Sequence, residues 1–469
     1  MSSINNYTCQ SRRLIYTGPR EGTNDPGRLP PALPLPAALQ TWGFWRSPHA
    51  YLELCNKLYG SPFTINALGK SPMIFMSHPA EIGSIISAHP DILHSGAGAA
   101  VITPLVGERS FMLLEEPEHM RVRKAIMPAY HSVVIAEHTA MVRDIAEREI
   151  ASWPADRAFA AHPRLRSLTL RVILTSIFGS EDRRIGDLHA RLLKMLAVTG
   201  SLALQEPKLR AAPRWRAVWR SFLAERAHVD NLLRRLIEDG IHSGGRERGV
   251  LALLLDEHSG DELAMSVGEV RDHLMSLVLA GHETTASQLA WSFQLLAHDP
   301  SVLAMLTDEI DRGGDAYLTA TVQEVMRHRP VFLFTIPRVL AAPVEIAGRH
   351  YEPPGQLVGC IHLMHHDPGL YREPQRFRPE RFLDSPPRPD TWRPWGGGRK
   401  RCPGHSLATL EMQTVLRETL KRWALRPGGT AVETARWRSV IVTPEHGCRI
   451  MLRRRTSRRA AVKRDPGAL

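Results

Sequence analysis

Apolar residues recur at helical spacing along most of this chain. The longest periodic run is 266–296, with Val267, Val270, Leu274, Leu277, Val278 and Leu289 at its repeating positions. It predicts a helix buried through much of its length. Shorter periodic runs predict helices at 49–59, 117–129, 132–153, 163–178, 183–198, 213–239, 318–327 and 406–422. Residues 62–76 alternate around a Gly-Lys pair and predict a hairpin. Residues 336–344, 344–351 and 435–453 read as short strands, and a Pro/Arg-rich meander runs from 365 to 393. Many helices with small segregated sheets predict an α+β, mainly helical fold. No repeat or linker interrupts 37–453, so a single domain is expected there. A flexible Pro-rich segment, 1–36, would precede it and a basic tail, 454–469, would follow it.

Composition narrows the class. With 469 residues, 43% of them hydrophobic and 23% charged, the chain can bury a large core and a cofactor. The net charge of +12 would suit an acidic partner, an anionic membrane or nucleic acid. About half of the excess crowds the C-terminus, at Arg453, Arg454, Arg455, Arg458, Arg459, Lys463 and Arg464, and reads as a solvated tail. No nucleic-acid motif accompanies it. The five cysteines are widely spaced and include no CxxC pair, which argues against a disulfide framework or a zinc site and fits a reducing cytoplasm. No apolar stretch has the length of a signal peptide or membrane span, so a cytoplasmic protein is expected.

Four segments bear chemistry. Trp395-Gly396-Gly397-Gly398-Arg399-Lys400-Arg401-Cys402-Pro403-Gly404 presents one cysteine on a glycine-rich, basic loop. The glycines let the backbone pass close to something flat or bulky. Arg399, Lys400, Arg401 and the next helix N-terminus favour a thiolate at Cys402. Such a thiolate is a metal ligand or a nucleophile. Within the long helix lies Ala280-Gly281-His282-Glu283-Thr284-Thr285. An acid and two hydroxyls there are costly unless used or satisfied. A threonine after a glycine can bond back to a carbonyl and open a local groove. Glu324 and Arg327 stand one turn apart, an ordinary helix pair on its own. His119 and Arg123 are four apart and face one way.

In their order and spacing these segments resemble the cytochrome P450 family. Trp395, Gly398, Lys400, Cys402 and Gly404 are similar to its haem-binding signature, and 280–285 resembles its oxygen-activation motif. Glu324 and Arg327 resemble its ExxR pair, with Arg381 as the third member. His119, Arg123 and Arg338 match cations that hold the haem propionates. Two positions depart from the family pattern. Lys400 stands where Arg or His is usual and offers a point charge in place of a fork. Trp395 stands where Phe is usual, and its indole N–H is a candidate donor to the sulfur.

The resemblance implies a fold with the long helix lying over haem b, whose iron Cys402 would hold. Ala280, Trp395, Gly396 and Gly404 would lie beside the cofactor. Thr284 would stand by bound dioxygen and Glu283 would feed protons through water. Glu324, Arg327 and Arg381 would be structural. By family position the pocket walls include Ile102, Leu105, Phe111, Leu277, Val331, Phe332, Phe334 and Val442, apolar residues that suit a lipophilic small molecule. Trp215, Trp219 and Phe222 form a helical stripe in a region expected to act as a lid. The implied activity is insertion of one atom of O2 by hydroxylation, N-oxidation or epoxidation, with a role in secondary-metabolite biosynthesis. No flavin, nicotinamide or iron–sulfur fingerprint occurs, so electrons would come from an acidic ferredoxin and its reductase. The alternatives are oxidative coupling or ring formation on the same fold, or a haem module without turnover.

Overall fold

The computed structural model describes residues 29–179, 183–201, 204, 206–242, 249–256 and 265–455. The fold is α+β and mainly helical, with small separate sheets. The long helix is Val267–His298. A capping box starts it: Ser266 Oγ accepts from the Glu269 amide at 3.3 Å, and the Glu269 carboxylate accepts from the Ser266 amide at 2.7 Å. His162–Phe178 packs along it, and Pro213–His242, Ala316–His328 and the strand Ile441–Pro444 cover other faces. Even Gln288, Ser292 and Gln294 are buried. Neighbours on every side explain why its apolar positions are not confined to one stripe.

The largest sheet has five strands in the order Phe63–Ile65, Met73–Met76, Gln356–Gly359, Arg338–Leu340 and Leu93–His94. Its first pair is the expected hairpin, with Phe63 opposite Phe75 and Ile65 opposite Met73. A three-stranded sheet orders Ala158–Ala160, Arg449–Arg454 and Trp423–Pro427. Ala435–Arg438 pairs with Ile441–Pro444 as a separate hairpin.

Two expectations need correction. Residues 344–351 are not one strand but a hairpin of Val344–Ile346 and Arg349–Tyr351. Ala347 and Gly348 turn it with φ of 53° and 75°, as a tight right-twisted hairpin requires. Helices at Ala37–Arg46, Pro79–Ser87, Val250–Asp256 and Pro300–Arg312 were not foreseen. The last had a legible signal: Asp299 accepts from the Val302 amide at 3.1 Å, and Pro300 holds the first helical position.

At the ends, Thr64 Oγ1 donates to the Pro30 carbonyl and the Thr64 amide to the Pro31 carbonyl, both at 2.8 Å. Arg455 Nη1 donates to Asp311 Oδ1 at 2.9 Å. The rest of the expected flexible segment and basic tail, 1–28 and 456–469, lies outside the described residues. Among the described residues no helix is long and apolar enough to cross a membrane. The Trp215–Trp219 stripe is capped by cations: the Arg210 guanidinium lies 4.2 Å above Trp219 and that of Arg214 5.1 Å from Trp215.

Candidate active site

The cysteine loop is held by short bonds to its surroundings. The Cys402 amide donates to the Trp395 carbonyl at 3.0 Å across a 3₁₀ turn at Gly398–Lys400. Gly398 has φ of 61°, and a Cβ there would stand 2.8 Å from Ile86 Cγ2. This glycine therefore serves the approach of helix Pro79–Ser87. Arg123, on helix Glu118–Ile126, donates from Nη1 to the Arg401 carbonyl at 2.7 Å. Arg399 and Arg401 are exposed, whereas Lys400 turns inward and donates to the Leu114 carbonyl at 2.7 Å.

The cations alone do not make Cys402 a thiolate. Burial pushes its thiol up to about 11, and the Gly404 amide, Arg123 and Arg401 only partly oppose it. Arg401 favours the anion as expected, but burial outweighs it, and a metal ion at sulfur is what would complete the ionisation. Burial likewise brings Lys400 down to about 8, with Glu115 opposing and Arg338 adding to the fall.

Arg338 is buried and lines a cleft with Ser95, Glu115, Glu116, Arg399 and Lys400. Among the described residues its guanidinium donates no hydrogen bond, and none of Arg123, Arg338 and Lys400 forms an ion pair. Glu115 is engaged elsewhere, accepting from the Gly96 amide at 2.6 Å and the Ser95 amide at 3.2 Å. Glu115 and Glu116 lie near these three cations but pair with none of them, and a buried cation such as Arg338 gains from an anion that bonds it directly. Carboxylates on a bound group suit this place, so the residues fit an acidic, iron-bearing cofactor held by one cysteine. His119 faces the same way as Arg123 but is buried, with Nδ1 3.0 Å from Glu116 Oε1.

On the long helix, which runs unbroken through this segment, Thr284 Oγ1 donates to the Ala280 carbonyl at 2.5 Å, the expected back-bond. Glu283 turns elsewhere. Its Oε2 accepts from Arg166 Nε at 2.8 Å. Its Oε1 lies 2.6 Å from Arg438 Nε, a contact misaligned for a hydrogen bond. His162 Nε2 is 3.6 Å from Oε1, and His282 Nε2 is 3.7 Å from Oε2. Burial, then the neighbouring arginines, holds His162 down at about 3 and pushes His282 well below its usual range. The cage thus contains one carboxylate, two guanidiniums and two neutral imidazoles. Arg166, Arg438, His162 and His282 were not singled out from the sequence. Arg166 is one of three arginines on helix His162–Phe178, and neither it nor Arg438, on a distant strand, is marked by its sequence neighbours.

The structure does bring Glu324, Arg327 and Arg381 together. Arg327 donates to both Glu324 oxygens, at 2.7 and 2.9 Å, and Arg381 Nε donates to Oε1 at 3.1 Å. The Arg378 amide adds a bond at 2.9 Å, and Arg327 Nη1 reaches the His365 carbonyl at 2.7 Å. The triad thereby ties its helix to the meander below the cysteine loop.

The eight expected wall residues divide. Ile102, Leu105, Phe111 and Leu277 share one core. Val331 and Val442 meet through a backbone bond of 2.9 Å, and Phe332 is half-buried. Phe334 departs from the expectation: its ring packs 6.1 Å from Phe44, 5.4 Å from Phe75 and 5.9 Å from Trp437. That aromatic cluster anchors the first helix. Trp395 is half-buried with its ring 6.3 Å from that of His405, and among the described residues its indole makes no hydrogen bond.

Known proteins agree with this arrangement. A family model described as Cytochrome P450 matches residues 27–451. "Putative cytochrome P450 135B1" of Mycobacterium tuberculosis is 33% identical over 443 residues, covering 92% of this chain and 93% of that protein. "Putative cytochrome P450 138" of the same organism is 33% identical over 431 residues, covering 91% of this chain and 97% of the relative. Among solved structures, the retinoic acid bound cyanobacterial CYP120A1 superposes with a TM-score of 0.79 at 21% identity, covering 91% of this chain and 99% of that one. The cytochrome P450DA heme domain does so with a TM-score of 0.76 at 20% identity, covering 91% and 98%. The family holds its haem by a cysteine thiolate and draws on O2 and a redox partner. By sequence and by fold, this chain belongs to the cytochrome P450 family, and it is a monooxygenase of the oxidoreductase class.

Proposed function

We propose that this protein inserts one oxygen atom from O2 into a lipophilic small molecule, with Cys402 as the thiolate ligand of haem b. The observation that carries the assignment is buried Arg338, with half-buried Arg123 and Lys400, none of them in an ion pair among the described residues, beside the Cys402 loop. The haem, when bound, supplies dioxygen activation and stores the electrons delivered from outside. The chain supplies the rest. Cys402 anchors the group, and Arg338, Lys400 and Arg123 compensate its carboxylates. Thr284 offers a hydroxyl on the long helix, a group that could steer a proton once it leaves the Ala280 carbonyl. Glu283 is the nearest buried acid in sequence, and its carboxylate must leave Arg166 or Arg438 before it can carry a proton toward Thr284. Ile102, Leu105, Phe111 and Leu277 would exclude water from the substrate side.

Electrons would come from an acidic ferredoxin steered to exposed Arg399 and Arg401. The rate of reduction should then fall as salt rises. The decisive experiment is the optical spectrum of the reduced protein under carbon monoxide, with Cys402→Ala beside it. A thiolate-type Soret band in the parent, lost in the variant, supports the assignment. A histidine-type spectrum unchanged by the substitution would overturn it.

A further inference from the structure

The segment between the short helix Thr103–Val106 and Phe111 is fastened to the first turns of the long helix by an unusual density of polar bonds. The Arg109 amide donates to Asp272 Oδ2 at 3.0 Å. The Phe111 amide donates to His273 Nδ1 at 3.2 Å. Ser110 Oγ and Ser276 Oγ are 2.5 Å apart, and Ser276 also donates to the Asp272 carbonyl at 2.6 Å. Arg271 Nη1 donates to the Val106 carbonyl at 3.2 Å and to Asp272 Oδ1 at 2.8 Å. Its Nε reaches Asp230, on helix Pro213–His242, at 2.8 Å. Asp272, His273, Ser276, Ser110 and Phe111 are all buried.

Two details show that the fit is specific. Gly107 has φ of 92°, and a Cβ there would lie 2.1 to 2.2 Å from the Asp272 carboxylate. Only glycine lets that carboxylate pass to the Arg109 amide. Burial keeps His273 neutral, so Nδ1 holds a lone pair for the Phe111 amide. The same imidazole meets the Phe111 ring edge-on, at 6.2 Å.

We propose that Asp272, His273 and Ser276 are positioning residues that clamp 106–111 onto the long helix and thereby set where Phe111 stands in the substrate pocket. Through Arg271 and Asp230 the clamp also registers the position of helix Pro213–His242. The proposal rests on the haem-pocket reading above, since it takes Phe111 as a wall of that pocket. Backbone amides held by side chains of another element give a wall that is rigid while the clamp is closed. The clamp can release the loop as a unit without disturbing the helix's own hydrogen bonds.

The test has two independent readouts. Hydrogen exchange of the 106–112 segment is measured on the full chain for the parent, His273→Leu and His273→Asn. The asparagine oxygen can take the place of Nδ1. Exchange at Phe111 should quicken roughly tenfold in His273→Leu and return toward the parent rate in His273→Asn. On the haem-loaded protein, bulky clotrimazole and small imidazole are titrated as iron ligands. Clotrimazole affinity should fall about fivefold or more in His273→Leu while imidazole affinity holds. Unchanged exchange in His273→Leu would overturn the clamp. Faster exchange with unaltered clotrimazole binding would overturn its role in setting the pocket. Failure to take up haem at all would instead sink the functional reading, and the exchange experiment would still decide the clamp.

Discussion

Two buried carboxylates in this molecule are each gripped by two arginines, and they behave as different devices. Glu324, on the cysteine side, has both oxygens bonded by Arg327, Arg381 and the Arg378 amide, and Arg327 spends its spare N–H on the His365 carbonyl. Glu283, on the long helix, sits among Arg166, Arg438, His162 and His282, yet Arg166 Nη2, Arg438 Nε, Glu283 Oε1 and His282 Nε2 lack hydrogen-bond partners there. A fully satisfied buried cluster has no alternative arrangement of similar energy and is a fixture. A cluster with spare donors and acceptors can re-pair at little further penalty. Charge alone does not separate scaffold from machinery; hydrogen-bond completeness does.

The largest effect should come from breaking the fixture. Arg327→Leu leaves buried Glu324 with Arg381 and the Arg378 amide only and should destabilise the protein by about 3–5 kcal/mol, read by denaturant unfolding. A loss under about 1 kcal/mol would mean that the Glu324 cluster is as adaptable as the other.

Glu283→Gln should instead act on rate. It preserves shape, so the fold should persist, while dioxygen consumption under a fixed electron supply slows by roughly 10²-fold. A Glu283→Gln protein that is merely less stable, with turnover intact, would make Glu283 a counter-charge and nothing more.

Acid should disturb the buried imidazoles of the molecule. Burial holds His162 and His362 at about 3 and His273 at about 4, so each folds in its neutral form. A group whose folded pKa is depressed contributes fully above its unfolded value, about 6.5, and loses that contribution as the pH falls. Stability should therefore decline from about pH 6.5 toward pH 3, as thermal melts across that range would record. Flat melting temperatures over this window would contradict the neutral assignment.

The smallest effect is expected at Trp395. With no bond from its indole among the described residues, its role is packing, and Trp395→Phe should leave the midpoint potential of the bound haem unchanged. A measurable shift in a redox titration would restore the indole as a donor to sulfur.

Much of this was legible in the chain. Helical periodicity located the long helix to within two residues at either end. The order and spacing of Glu324, Arg327, Arg381 and Cys402 identified the family. Short strands such as Leu93–His94 and Ala158–Ala160, and helices such as Pro79–Ser87, went unread because too few residues are present to show a period. The partners of Glu283 were illegible for another reason: Arg166 and Arg438 are 117 and 155 positions away, and nothing local marks a cation that will meet a distant acid.

What the sequence determined by itself is whatever depends on neighbours along the chain: helix starts, the hairpin turn, the Thr284 back-bond to Ala280 and the presence of one cysteine on a basic glycine loop. What only the tertiary structure decided is the balance of burial against charge. It turned Lys400 inward, set burial above the cations at the Cys402 thiol, put Phe334 in the aromatic cluster of the first helix and enclosed Glu283 between two arginines. Desolvation depends on everything packed around a group, and no window of sequence contains that sum.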